Sequence, residues 1–242
     1  RCEFADGRWR IETADGARDE ADVVIAATGV LHHPNMPDID GLETFAGAAF
    51  HSSRWDHSAP LDGARVGVIG TGSTAIQITC ALAQRVEKLC LFQRTPQWIF
   101  PQDNPPHTEE EQAAFRDDPT RLRQVHDQLS ELFGLFANGV VDAASPQMKM
   151  IEDACVANLE NSVRDPELRE RLRPDYRAGC KRLIMSGDFY DAIQAPSAEL
   201  VTAGIERIEP AGLRTVDGRV HELDVLVLAT GFDAHAYWSA RL

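Results

Sequence analysis

The sequence runs to 242 residues, with 43 % hydrophobic and 26 % charged side chains and a formal net charge of −14, the profile of an ordinary globular chain with room for one or two domains. The acidic balance argues against a nucleic-acid partner, because phosphate binding needs clustered Lys and Arg, and no apolar run approaches the roughly 18 residues needed to span a bilayer. The five cysteines (Cys2, Cys80, Cys90, Cys155, Cys180) are odd in number and include no C-x-x-C pair, so the expectation is reduced thiols in a cytoplasmic protein, with no metal site.

The chain opens on Arg1-Cys2-Glu3-Phe4, without a secretion-signal pattern and without an initiating Met, which reads as a cut or processed end. Residues 9–13 alternate as a strand, and Ala14-Asp15-Gly16 is a turn. Residues 22–27 (Asp-Val-Val-Ile-Ala-Ala) form a continuous apolar run, expected to be a strand covered on both faces and ending at Thr28-Gly29. A connection containing Pro34 and Pro37 follows.

Residues 65–69 form a second buried strand, which runs into Gly70-Thr71-Gly72-Ser73-Thr74-Ala75. Helical spacing of Ile76, Ile78, Leu82 and Val86 continues to about Val86, and residues 88–93 form the next strand, completing a βαβ unit. Cys80 and Cys90 fall in apolar stretches and are expected in the core. From about 107 to 175 acidic side chains outnumber basic ones. Leu129, Leu132, Phe133 and Phe136 recur at helical spacing there, so the stretch reads as a helical insertion with turns near Pro119, Pro146 and Pro166.

Short strands are expected at 200–201 and 205–208. A hairpin is expected across 213–220 with Asp217-Gly218 at its turn, and a last strand in 224–231. That last run, Asp-Val-Leu-Val-Leu-Ala-Thr-Gly, repeats the form of residues 22–29. The two resemble two crossings between a pair of domains. The pattern as a whole specifies an α/β fold with a Rossmann-like unit.

Gly70-x-Gly72-x-x-Ala75 has the spacing of a dinucleotide-binding turn. The first position must turn where a Cβ would clash. The second lets backbone approach a pyrophosphate, and the third lets the helix pack on the strand. The pattern is weak alone; here it follows a strand and opens a helix, as the chemistry requires. After the next strand come Gln93-Arg94-Thr95-Pro96. An acidic residue near this point would bind the ribose hydroxyls of NAD. A guanidinium beside a hydroxyl instead suits the 2′-phosphate of NADP(H), although Arg94 also fits an ordinary surface role.

Phe45-x-Gly47-x-x-x-His51-x-x-x-Trp55-Asp56 matches no metal motif; taken by its residues it is a loop with an aromatic plug and a hydrogen-bonded His. The string nevertheless resembles the fingerprint of the type I Baeyer–Villiger monooxygenases, which lies just before their second glycine motif. Phe92-Gln93-Arg94-Thr95-Pro96-Gln97-Trp98, Arg173-Pro174-Asp175-Tyr176, Gly179-Cys180-Lys181-Arg182 and Ala229-Thr230-Gly231-Phe232 extend the resemblance in the same order. It is nearest to the 4-hydroxyacetophenone and cyclohexanone monooxygenase-like members. Trp55 favours this group over the N- and S-oxygenating flavin monooxygenases, which usually carry Tyr there.

The resemblance implies a fold in which residues 1–29 end one segment of an FAD-binding domain, 30–230 form the NADP-binding domain, and 231–242 begin a second FAD-domain segment. It implies FAD and NADP(H) as cofactors, with a small ketone and O2 as substrates, and neither nucleic acid nor membrane as a partner. It carries a catalytic role to Arg182 and His51. Coenzyme contacts fall to Gly70, Thr71, Gly72, Ser73, Thr74, Ala75, Gln77, Arg94, Thr95 and Lys181. By their residue types alone, Lys181 and Arg182 are equally a surface pair. The FAD glycine motif that the family carries at its start is missing before Asp22. The expectation is therefore a chain covering mainly the NADPH-binding half, inactive alone, with a non-catalytic dinucleotide-binding remnant as the alternative.

Overall fold

The computed structural model describes residues 1–235. The chain divides into two compact units, one made of Arg1–Asn35 with the segment from Gly231 onward, the other of Met36–Thr230. Of the expected terminal segment 231–242, residues 236–242 lie outside the described residues. No helix among the described residues is long and apolar enough to cross a membrane.

The first unit holds β1 (Cys2–Ala5), β2 (Arg8–Glu12) and β3 (Arg18–Ala21), an antiparallel meander. Asp6 and Gly7 join β1 to β2 with φ of 54° and 79°, the two positive values that a tight hairpin turn requires. The Phe4 and Trp9 rings sit 5.3 Å apart across this pair. The expected buried strand at 22–27 does not form. Those residues have no regular structure and pair with no strand among the described residues, and Val23 and Ile25 are 72 % and 86 % exposed. A parallel-type strand depends on hydrogen-bonding neighbours and covering layers, and the described residues of this unit supply neither.

The second unit is built on a parallel sheet. In chain order it contains β4 (Ala48–His51), β5 (Arg65–Ile69), α1 (Ser73–Leu82), β6 (Lys88–Phe92), β7 (Ile99–Phe100), α2 (Glu109–Asp117), α3 (Pro119–Val141), α4 (Pro146–Ser162), α5 (Pro166–Leu172), β8 (Ile184–Met185), α6 (Phe189–Ile193), β9 (Ala198–Val201), β10 (Ile205–Glu209), β11 (Gly212–Thr215), β12 (Val220–Glu222) and β13 (Val225–Leu228). The main sheet has the order β4-β13-β5-β6-β9. Its last row is level: His51, Leu228, Ile69, Phe92 and Val201 are successive register partners. All five strands therefore present their carboxyl ends along one edge.

Side chains alternate across the sheet and make two cores. Val66, Val68, Leu89, Leu91, Val225 and Val227 face the helices, with Ile76 of α1, Ile151 of α4 and Ile193 of α6. Ile69, Cys90, Phe92, Leu226 and Leu228 face the other way, under Ile208 and Leu213 of the β10-β11-β12 meander. The α/β architecture with a parallel sheet agrees with the sequence expectation. Cys90 is fully buried, while Cys80 is half-buried.

In the helical stretch, Pro119, Pro146 and Pro166 are the first residues of α3, α4 and α5, each preceded by an Asp or Ser that caps the helix. Pro suits that position because its missing N–H would have no helical partner there. Thr108 and Glu111 close a capping box on α2. The apolar spacing in α3 does not mark a buried stripe throughout: Leu129, Leu132 and Phe133 are exposed, while Phe136 packs edge-on against Phe100 at 5.1 Å. α1 stops at Leu82 rather than near Val86, with turns closing the last four residues.

Arg65 fastens the sheet at its opposite end. Its guanidinium lies 2.6 Å from Asp224 and 2.5 Å from Glu222, and its backbone N–H donates to Asp224 at 2.8 Å. These hydrogen bonds hold the Asp224 carboxyl at about 2, well below the usual carboxylate range.

Candidate active site at the carboxyl edge

The sheet order places a topological switch between β13 and β5, since the chain leaves β5 toward β6 and β9 and returns to β13 on the other side. Crevices at such points are the usual ligand sites of open α/β sheets. The glycine turn sits here. Gly70 has φ 122°, and a Cβ on it would lie 2.4 Å from the carbonyl oxygen of Ala229. Only glycine permits β13 to run this close. Gly70 N–H donates to Phe92 O at 3.2 Å, and Ala229 N–H to Ile69 O at 2.9 Å.

Gly72 has a different role. A Cβ on it would meet no atom within 4 Å, so the space it leaves is an open cradle and not a packing contact. It caps α1 with no side-chain acceptor, and no acidic residue stands in the first turn. The N–H groups of Ser73, Thr74 and Ala75 thus begin a helix whose positive end is unclaimed by any side chain, the arrangement that suits an anion. Ala75 is fully buried where α1 meets the sheet, and Gln77 points to solvent.

Contacts that the sequence did not reveal gather the other candidates. Thr71 Oγ1 donates to Thr95 O at 2.7 Å, which ties the glycine turn to the loop after β6. Tyr176 Oη lies 2.9 Å from Pro96 O and 3.0 Å from Gln97 Oε1, and Trp98 Nε1 donates to Tyr176 O at 2.6 Å. Lys181 Nζ rests 4.4 Å above the Tyr176 ring. The turn, the Arg94-Thr95 loop and Lys181 are thereby linked in one neighbourhood. Gln93, almost fully buried, donates to Arg171 O at 2.7 Å and anchors the loop from beneath. No sequence signal announced these tethers, because they join residues 24 and 78–80 positions apart.

Arg94, Lys181 and Arg182 are exposed, and none has a carboxylate partner among the described residues. In a chain of net charge −14, Arg94 on the tethered loop and Lys181 over Tyr176 are suited to an incoming anion. Among the described residues no hydrogen bond or ion pair joins Arg182 to the glycine turn.

His51 stands at the carboxyl end of β4, 3 % exposed. Its Nδ1 accepts the Ser53 N–H at 3.1 Å and lies 2.8 Å from Ser53 Oγ. It shares the carboxyl edge with the glycine turn but is two strands away, roughly 10 Å at ordinary strand spacing. The rest of its motif packs: a Cβ on Gly47 would lie 2.2 Å from Asp224 O, and Trp55 meets Phe50 edge-on at 5.0 Å.

A family model for flavin-binding monooxygenase-like proteins matches residues 1–104. An uncharacterized monooxygenase of Mycobacterium tuberculosis is 48 % identical over 237 residues, covering 97 % of this chain and 47 % of that protein. A Baeyer–Villiger monooxygenase of Streptomyces coelicolor is 39 % identical, over 93 % of this chain and 43 % of its own. A solved cyclohexanone monooxygenase bound to epsilon-caprolactone superposes with TM-score 0.79 at 31 % identity, over 96 % of this chain and 53 % of that one. OTEMO, solved in complex with FAD and NADP, gives TM-score 0.78 at 31 % identity, with 96 % and 51 % covered. The chain spans about half the length of the relatives it matches. By sequence and by fold, then, this chain is homologous to the Baeyer–Villiger monooxygenases and, over its first 104 residues, to the wider group of flavin-binding monooxygenase-like proteins.

Proposed function

We propose that residues 36–230 bind NADP(H) at the carboxyl edge of the sheet, and that the chain serves an FAD-dependent Baeyer–Villiger oxygenation of a small ketone by O2. The observation that carries this reading is the pair of tethers, Thr71 to Thr95 and Tyr176 to Pro96, which join an uncapped helix N-terminus to Arg94 and Lys181. The open space at Gly72 fits a pyrophosphate.

In this reading the first turn of α1 holds the pyrophosphate through Ser73, Thr74 and Ala75, with Gln77 one turn further along. Arg94, Thr95 and Lys181 hold the 2′-phosphate that separates NADP from NAD. Arg182 provides a permanent positive charge beside the reacting rings, where it orients the nicotinamide and stabilises negative charge developing on oxygen. His51 acts as a positioning residue: it fixes the turn at 52–54 that leads to Trp55 and Asp56. Residues 1–35 and the segment from Gly231 form part of the flavin-binding side. NADPH and FAD supply the hydride and oxygen chemistry when bound. The reduced thiols suit a cytoplasmic setting.

The test separates binding from chemistry in a complete, FAD-loaded enzyme that contains this chain. Lys181→Ala should raise the KM for NADPH with kcat largely kept. Arg182→Ala should slow flavin reduction and abolish ester formation, with flavin content unchanged. Near-normal ester formation by Arg182→Ala would remove its assigned role.

A further inference from the structure

On the face of the sheet opposite α1, a thiol, a carboxylate and an imidazole meet with no part in the coenzyme site. Cys90 of β6 and Glu199 of β9 are register partners, so their side chains leave the sheet on the same side. Cys90 is fully buried in the core beneath the meander. His221 comes down onto it from β12, which belongs to that meander. One ligand atom from each of the three lies within 4.8 Å of the other two, and no other such group occurs among the described residues.

The imidazole supplies an independent sign. His221 is 2 % exposed, and its Nδ1 is buried with no hydrogen-bond partner among the described residues. Its Nε2 lies 3.4 Å from Thr215 Oγ1. A buried ring nitrogen left unpaired is costly and asks for an explanation. An unpaired ring nitrogen on a side chain that meets a thiol and a carboxylate is explained by a bound cation.

We propose that Cys90 Sγ, the Glu199 carboxylate and the His221 imidazole form a site for a divalent cation of the zinc type. Thiolate and imidazole select a borderline-soft ion over magnesium or calcium. Three protein ligands leave a fourth position for water. Metal–ligand bonds of about 2.0–2.3 Å require the three atoms to close inward by about 1 Å, a small movement for side chains.

Glu199 is already oriented for this task. Lys88 Nζ lies 3.0 Å from one carboxylate oxygen, and Arg219 reaches both, at 3.0 Å from that one and 2.5 Å from the other. Ionised carboxylates keep about four acceptor positions between their oxygens, so the three contacts leave one position for a metal, and such partners commonly orient metal ligands. The same two cations oppose the charge of the ion, which lowers the expected affinity. Access exists: a cleft of about 380 Å³ is lined by Glu199 and His221 together with Thr202, Asp217 and Arg219. On binding, the Cys90 S–H gives its proton to solvent and the thiolate sulfur bonds to the metal. Burial holds that thiol up at about 11, with Lys88 pulling the other way, and this too limits affinity. The bound ion would fasten β12 of the meander to β6 and β9.

The test is titration of the purified protein with Co²⁺. The expected result is a saturable near-ultraviolet band from thiolate bonded to cobalt, with visible bands of tetrahedral strength, both displaced by Zn²⁺. Cys90→Ala should lose the near-ultraviolet band, and Glu199→Gln should weaken Co²⁺ binding at least tenfold, each with native circular dichroism. Absence of the band in the unaltered protein overturns the proposal. So does its persistence in Cys90→Ala, which would place the ion on the exposed Cys180 or the half-buried Cys2 or Cys80. Should Cys90→Ala fail to fold, unchanged Co²⁺ affinity in folded Glu199→Gln overturns it equally.

Discussion

Residues 22–29 and 224–231 spell nearly the same string, Asp, an apolar run, then Ala-Thr-Gly, and they stand in opposite environments. The second run holds β13, hydrogen-bonded to β4 on one side and β5 on the other, with Val225 to Leu228 all buried. The first has no strand partner among the described residues, and Val23 and Ile25 lie open to solvent. What the two share is local. Both end on a glycine with positive φ, 72° at Gly29 and 80° at Gly231. Both begin on an aspartate paired with an arginine, Asp22 with Arg8 and Asp224 with Arg65. Backbone punctuation therefore follows from sequence, whereas the strand between depends on its neighbours.

The largest break in this comparison comes from placing a charge in each run. Val227→Asp puts an unpaired carboxylate into a fully buried position between β4 and β5. It should cost upward of about 4 kcal/mol and prevent folding. Ile25→Asp, at a site 86 % exposed, should change stability by no more than about 0.5 kcal/mol. Urea denaturation followed by circular dichroism measures both. Equal losses would mean that the two runs are structurally alike.

The same contrast explains what the sequence revealed. β5, α1, β6, the 217–218 hairpin and β13 carry strong local signals: apolar runs, a glycine turn, Asp-Gly. β4 (Ala48–His51) carries none, and it exists because β13 offers an edge. β7 and β8 are two residues each and arise only because Ile99 and Ile184 meet in the fold. At the site, Gly70 and Gly72 were legible, yet the atom that forces Gly70, the Ala229 carbonyl oxygen, lies 159 residues further along the chain. The contacts of Tyr176 and the Cys90, Glu199 and His221 cluster escaped for the same reason: the partners are distant in sequence and no spacing rule joins them.

Glycine substitution sharpens the comparison at a second level. Gly70→Ala meets both a positive φ and a carbonyl oxygen at 2.4 Å, and should cost about 2–4 kcal/mol and abolish dinucleotide binding. Gly29→Ala meets only the positive φ, with nothing within 4 Å, and should cost about 1 kcal/mol. Thermal melts on the two variants decide it, and equal costs would show that Ala229 does not crowd Gly70.

The smallest effect concerns the aspartates. The folded carboxyl of Asp224 is held at about 2 by Arg65, below an unfolded value of about 3.9. Its contribution is therefore present above the unfolded value and is lost as pH falls toward 2. Asp224 is 46 % exposed as a side chain, so solvent screening limits the contribution to roughly 1 kcal/mol. Asp224→Asn should lower stability at pH 7 and match the unaltered protein near pH 2. Asp22→Asn should leave stability unchanged at both. Denaturation curves between pH 2 and pH 7 test this, and a difference for Asp224→Asn that persists at pH 2 would contradict the ion pair as its cause.

The coenzyme assignment is tested most directly by calorimetric titration of the purified protein with NADP⁺ and with NAD⁺. NADP⁺ should bind at least about tenfold more tightly, and Arg94→Ala should remove roughly 1.5–3 kcal/mol of NADP⁺ binding while leaving NAD⁺ nearly unchanged. Equal affinities for the two coenzymes, or an Arg94→Ala variant that weakens both alike, would contradict a 2′-phosphate site beside the glycine turn.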